Sequence, residues 1–115
     1  MLANTSYPKE YVETVRARFS AATGDFGLLV VALDRAFVHR VRKNEGKDGN
    51  ALNEVRMITD SVLENGGVLA ATSTIKYRPE NAVLGLAVGD EIVVDADGFA
   101  RLLDAFLAEI EARYP

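Results

Sequence analysis

The run Phe26-Gly-Leu-Leu-Val-Val-Ala-Leu33 constrains this chain more than any other feature. It is apolar on every side, so it must lie centrally in its domain or be covered by a partner subunit. Eight residues are too few to cross a bilayer, which takes about 20. A strand over Phe26 to Ala32 is the competing reading, because Val30 and Val31 favour sheets. Leu33, Phe37 and Val41 continue the apolar stripe at i, i+4 and i+8, which predicts a helix. Asp25 is a suitable N-cap and Gly46 marks the end, so this second helix is expected from Asp25 to about Asn44. Gly27 is its weak point.

A first helix is expected from about Tyr7 to Ala22. Pro8 suits the opening turn, whose N–H groups are spare anyway. Val12, Val15, Phe19 and Ala22 form its stripe, and Gly24 stops it. A third helix is expected from Ala51 to Glu64, capped by Asn50 and ended by Asn65-Gly66-Gly67. Leu52, Val55, Ile58 or Thr59, and Val62 line its inner face. The character then changes. Val68 to Tyr77 is rich in Val, Thr and Ile and reads as extended. Arg78-Pro-Glu-Asn81 reads as a turn, Val83 to Val88 as a second strand, Gly89-Asp90 as a tight turn and Glu91 to Val94 as a third strand. Asp95 or Asp97 caps a last helix whose apolar face is Phe99, Leu102, Leu103, Phe106 and Ile110. The expected fold is therefore α+β and mainly helical: three helices, a three-stranded antiparallel β-meander, then a C-terminal helix. A meander this small needs a covering layer, which the last or the second helix would supply.

All 115 residues fit one domain, large enough to fold without a metal or disulfide. The absence of cysteine excludes disulfides, thiolate metal sites and cysteine nucleophiles. Met1 to Ser6 has no cationic start leading to an apolar run, so no signal peptide and a cytoplasmic location are expected. The net charge of −4 argues against a general nucleic-acid binder. Charge is nevertheless uneven. Arg35, Arg40, Arg42, Lys43, Lys47 and Arg56 gather around one loop, and Asp95, Asp97, Asp104, Glu109 and Glu111 lie towards the C-terminus. Such a division can steer a partner or a second copy, although solvated helix faces produce it too.

The polar segment from Lys47 to Arg56 is the candidate ligand site. Arg42, Lys47, Asp48, Asn50, Asn53, Glu54 and Arg56 bring directional hydrogen-bonding groups to a helix start, where free N–H groups favour an anion. Lys47, Asn50 and Arg56 would hold a phosphate or carboxylate. Turn and cap chemistry explains the same residues without a ligand. A calcium loop does not fit: with Asp48 and Asn50 at ligand positions 3 and 5, position 6 is Ala51 instead of glycine, and position 12 is Met57 instead of a bidentate glutamate. His39, the only histidine, excludes multi-histidine metal sites and is the sole imidazole for acid–base chemistry. An enzymatic reading would need a pocket joining it to Glu45, Asp48 or Glu54. No phosphate-loop or nucleophile-elbow motif is present, and no cofactor is expected.

Two stretches bear a likeness to known sequences. Leu84-Gly-Leu-Ala-Val-Gly-Asp-Glu-Ile-Val-Val94 resembles the end of the swapped-hairpin DNA-binding domains of bacterial antitoxins and transition-state regulators, which implies a β-hairpin. The upstream strand of that family is not reproduced, since Pro79 sits too near Gly85. The segment Lys47 to Arg56, with Ile75-Lys-Tyr-Arg-Pro-Glu80 and Phe106-Leu-Ala-Glu-Ile-Glu111, is similar to uncharacterised bacterial proteins of this length, a likeness that implies no activity. The expectation is a non-enzymatic binding or assembly module, homodimeric through the apolar second helix. The alternative is a nucleic-acid- or phosphate-binding protein using Arg40, Arg42, Lys43, Lys47 and Arg56. No membrane partner is expected.

Overall fold

The computed structural model describes residues 7–40 and 42–115, with the side chain of Arg42 also outside the description. The signal-peptide reading of Met1 to Ser6 and the stripe position Val41 lie outside these residues. Among the described residues there are five helices: α1 (Lys9–Ser20), α2 (Phe26–Ala36), α3 (Arg42–Glu45), α4 (Ala51–Glu64) and α5 (Ala96–Arg113), with a 3₁₀ turn at Pro79–Asn81.

The expected caps hold. Asp25 Oδ1 accepts from the Leu28 N–H, Asn50 Oδ1 from Leu52 and Asn53, and Asp95 Oδ1 from Gly98. Each satisfies amide groups that the first helical turn leaves open. The run 26–32 is helical and central, since Val30 and Leu33 are fully buried. It packs on α4, α5 and α1, so most of its apolar surface is covered within the chain. The core joins these helices through Leu52, Val55 and Ile58 of α4 and Leu102, Phe106 and Ile110 of α5.

Two expectations fail. The second helix does not reach Asn44; it ends at Ala36, and the chain reverses before α3. Phe37 leaves helical geometry at φ −124°, ψ 37°. The Arg40 guanidinium then folds back, and its Nη1 donates to the carbonyls of Asp34 (3.3 Å) and Phe37 (3.2 Å). Each of these carbonyls also accepts a backbone N–H, from Phe37 and from Arg40 itself, so the guanidinium is a second donor to the carbonyls at the helix end.

The second correction is to the fold class. The protein is helical, not α+β, and the three-stranded meander does not form. Within 66–95 the only ladder element is one antiparallel bridge, Val68 with Glu91. The flanking bonds are Leu69 N–H to Asp90 O, Gly89 N–H to Leu69 O and Ile92 N–H to Gly67 O. The rest of 66–95 wraps the helices as irregular chain. Its backbone partners come from elsewhere. The Val83 and Leu84 N–H groups donate to the Glu54 carboxylate of α4 (2.8 and 2.9 Å), the Arg101 guanidinium donates to Val83 O (3.0 Å), and the Tyr77 hydroxyl to Leu86 O. Gly85 takes φ +68°, which breaks the extended run expected from Val83 to Val88. The Leu84–Val94 run therefore contains no hairpin of the swapped-hairpin kind. Covered by this connection as well as by α2 and α5, α4 buries nearly all of its first three turns, including Asn53 and Glu54.

Candidate functional site

The chain reversal after α2 and the start of α4 meet in a buried polar cluster. Arg40 is 5% exposed, a position a charge occupies only when paired. Its Nη2 donates to Asp34 Oδ1 at 2.7 Å and its Nε to Glu45 Oε1 at 2.9 Å, while the group lies 5.5 Å over the Phe106 ring. Glu45 also receives Arg56, from Nε to Oε2 at 2.8 Å and from Nη2 to Oε1 at 2.6 Å, the bidentate fork that suits guanidinium to carboxylate. Burial pushes the Glu45 carboxyl up, but the hydrogen bonds and charges of Arg56 and Arg40 outweigh it and hold the group below the ordinary carboxylate value. Two cations and two anions therefore neutralise one another inside the fold.

The loop 46–50 is fastened onto this cluster. Asn53 Nδ2 donates to Gly46 O, and its Oδ1 accepts from the Gly49 N–H at 2.9 Å. Asn50 Nδ2 donates to Glu45 O and to Asp48 Oδ1. That second bond, first among the causes, lowers the Asp48 pKa. Gly49 has φ +87°, and a Cβ there would stand 2.6 Å from the Lys76 carbonyl. Lys76 N–H in turn donates to Lys47 O, which lays residues 72–76 alongside the loop.

The seven candidate residues separate into four groups. Lys47, Asn53 and Arg56 line one recess of about 270 Å³, with Glu45 and Gly46 and, across it, Thr72, Thr74 and Ile75. Asp48 is exposed, and Asn50 is the helix cap. Glu54 turns away from the others and lies under Val83 and Leu84. Burial raises its pKa, against the lowering effect of the Leu84 and Val83 amides and the Arg101 charge. Arg42 begins α3, and its side chain lies outside the described residues. Of the wider basic group, Arg40 and Arg56 are taken up by Glu45 and Asp34, and Lys43 and Lys47 stay exposed.

No catalytic pocket gathers the enzymatic candidates. His39 is exposed on the turn after α2, Glu45 is locked between two arginines, and Glu54 serves the connection 66–95. No group of acidic or histidine side chains suited to a metal occurs among the described residues, and none of their helices is long and apolar enough to cross a membrane.

Asp34, Thr72 and Thr74 leave no mark in the sequence as site residues, and Glu45 stands out there only as an acidic partner for His39. Asp34 and Arg40 are six positions apart, roughly 240° around a continuous helix, so reading one helix from 25 to 44 hides their pairing. Thr72 and Thr74 join the recess through a tertiary contact that leaves no local mark. The chain matches no family model, no curated protein and no solved structure.

Proposed function

We propose that the protein is a small non-enzymatic binding module that takes an anionic group in the recess over Arg56. One observation carries the reading: of the three residues expected to hold an anion, Lys47 and Arg56 line a single recess, with Asn53, Thr72 and Thr74 beside them, while Asn50 caps α4 instead. Arg56 presents its outer edge there with 15% of its side chain exposed, and its Nη1 has no hydrogen-bond partner among the described residues. Lys47 adds a charge that no acidic group neutralises by direct contact among those residues. An anion in the recess would meet two cations and only one facing carboxylate, Glu45, already held by Arg40 and Arg56. Burial of Arg40 leaves too few open cations on this face to track a nucleic-acid backbone, which favours a small anionic group over a polyanion. A cytoplasmic setting, consistent with the cysteine-free sequence, belongs to the same proposal. So does kinship with the similar uncharacterised bacterial proteins, whose shared segment would then be the one that builds this cluster.

The test is a ¹H–¹⁵N titration with inorganic phosphate and with acetate. Saturable shifts at Lys47, Thr72, Thr74 and the Arg56 Nε–H are expected, and Lys47→Glu should abolish them. Absence of saturable shifts up to tens of millimolar refutes the site.

Self-association is a second reading, favoured by a strip that α2 leaves open. Leu28 is 55% exposed, and Ala32 and Arg35 continue it at i+4 and i+7. Sedimentation at micromolar concentration should then give a dimer that Leu28→Glu dissociates; a monomer throughout removes this reading.

A further inference from the structure

A second recess, of about 290 Å³, adjoins the first. It is lined by Asp60, Ser61, Glu64 and Asn65 on one side and by Ala70 to Thr72 on the other, and Thr72 belongs to both. The α4 residues concerned, Asn53, Arg56, Met57, Asp60, Ser61 and Glu64, follow the i, i+3, i+4, i+7 spacing of one helix face. The two recesses therefore form one trough between α4 and the segment 70–75. Each alone is smaller than the roughly 300–1,000 Å³ of an ordinary small-molecule site, which favours an elongated occupant over a compact one.

The trough is electrically polar along its length. Lys47 and Arg56 stand at one end, with Glu45 neutralised beside them. Asp60 and Glu64 stand at the other, and neither has an ion-pair partner among the described residues. Asp60 lies one helical turn beyond Arg56, about 6 Å along the axis, and Glu64 another turn on. The wall between them offers peptide-type hydrogen bonds. Of the residues that line it, the N–H groups of Ala71, Thr72 and Thr74 are not engaged by any described residue, and neither is the carbonyl of Ala71.

We propose that the trough binds a short peptide with free termini, its carboxylate at Lys47 and Arg56 and its ammonium at Asp60 and Glu64. An extended tripeptide places its termini roughly 7–10 Å apart at about 3.3 Å per residue, which matches the separation of the charged ends. Its own amides would meet the open groups of 71–74. This inference rests on the anion reading above and adds the rest of the ligand to it.

Titration with trialanine, N-acetyl-trialanine amide and acetate, followed by ¹H–¹⁵N shifts, tests it. Trialanine should move signals in both recesses, the Ala71–Thr74 amides included. Lys47→Ala and Asp60→Asn, both at exposed positions, should each weaken it at least fivefold, and the doubly capped peptide should weaken it as much. Acetate should move only the Arg56 end. Acetate shifts without saturable trialanine binding would overturn the peptide inference and leave the anion site standing. Equal binding of free and capped peptides, or indifference to Asp60→Asn, would overturn it as well. No shift with any of the three overturns both.

Discussion

Two buried carboxylates, one at each end of the same stretch of chain, solve the problem of burial in opposite ways. Glu45 faces cations: two guanidinium groups surround it, and it stays ionised with its pKa lowered. Glu54 faces dipoles: two backbone N–H groups hold it, and burial wins, so its pKa is raised. The first joins helices to each other through charge. The second joins a helix to irregular chain and does the work that a neighbouring strand would otherwise do. The contrast explains how a domain with so little β-structure holds the middle of the long connection 66–95 against its helices, with the Val83 and Leu84 amides paired to a side chain of α4.

The sharpest way to break the comparison is to remove Glu45. Glu45→Ala would leave Arg56 without its partner and Arg40 with only Asp34, both mostly out of water. Loss of one member of a buried ion-pair group costs about 3–5 kcal/mol, which should appear as a fall in the urea midpoint or as failure to fold. Glu45→Gln should recover little, since an amide cannot supply the charge that both guanidiniums need. A loss below about 1 kcal/mol would mean that water reaches the cluster and that the pairs are ordinary surface pairs.

Part of this arrangement was legible in the sequence. The helices around Val12–Val15, Asn50–Glu64 and Asp95–Ile110 announce themselves by stripe and cap, because capping and amphipathicity are local. The break at Phe37 did not, because it depends on Arg40 reaching back to Asp34 and forward to Glu45. The meander was misread for a physical reason too. Val, Ile and Thr at 68–77 and 83–94 favour extended chain, yet a strand also needs a partner, and here the Val83 and Leu84 amides find theirs 29 and 30 residues upstream. A warning was present at Glu54, a charge that falls on the buried stripe Ala51, Glu54, Ile58 and Ser61. Of the candidate site, Lys47, Asn53 and Arg56 were legible as polar residues at a helix start. Thr72 and Thr74 were not, because only the Lys76–Lys47 contact brings them there.

Glu54 gives a smaller effect and a different pattern. Glu54→Ala should cost about 2 kcal/mol, since two amides are left without an acceptor and each is only partly buried, which puts it at the low end of the roughly 1–3 kcal/mol for an unpaired group. Glu54→Gln keeps one acceptor and removes a charge that burial disfavours, so it should cost no more than about 1 kcal/mol. Hydrogen exchange at Val83 and Leu84 should speed up in the alanine variant and change far less in the glutamine one. If the two substitutions are equally damaging, Glu54 acts through its charge and the distinction from Glu45 collapses.

The smallest effect, and the one that separates the two carboxylates most cleanly, is the response to acid. For Glu45 the folded pKa is below its value of 4.5 in a free chain. The unfolded state therefore takes up its proton first, and the stability Glu45 contributes is complete above 4.5 and lost as pH falls through the lowered folded value. For Glu54 the folded pKa is above 4.5. Between those two values the folded state holds more protons, so stability should rise as pH falls from the raised value to 4.5 and be level below it. Urea unfolding from pH 7 to pH 4 should show wild type gaining on Glu54→Gln as acid is added, by well under the loss caused by Glu45→Ala. Below 4.5 wild type should weaken, and Glu45→Ala, if folded, should not share that component of the decline. Parallel curves for wild type and Glu54→Gln would show that the folded and free values of Glu54 coincide. The Val83 and Leu84 amides would then offset the whole cost of burial, and Glu54 would hold them as an ionised acceptor.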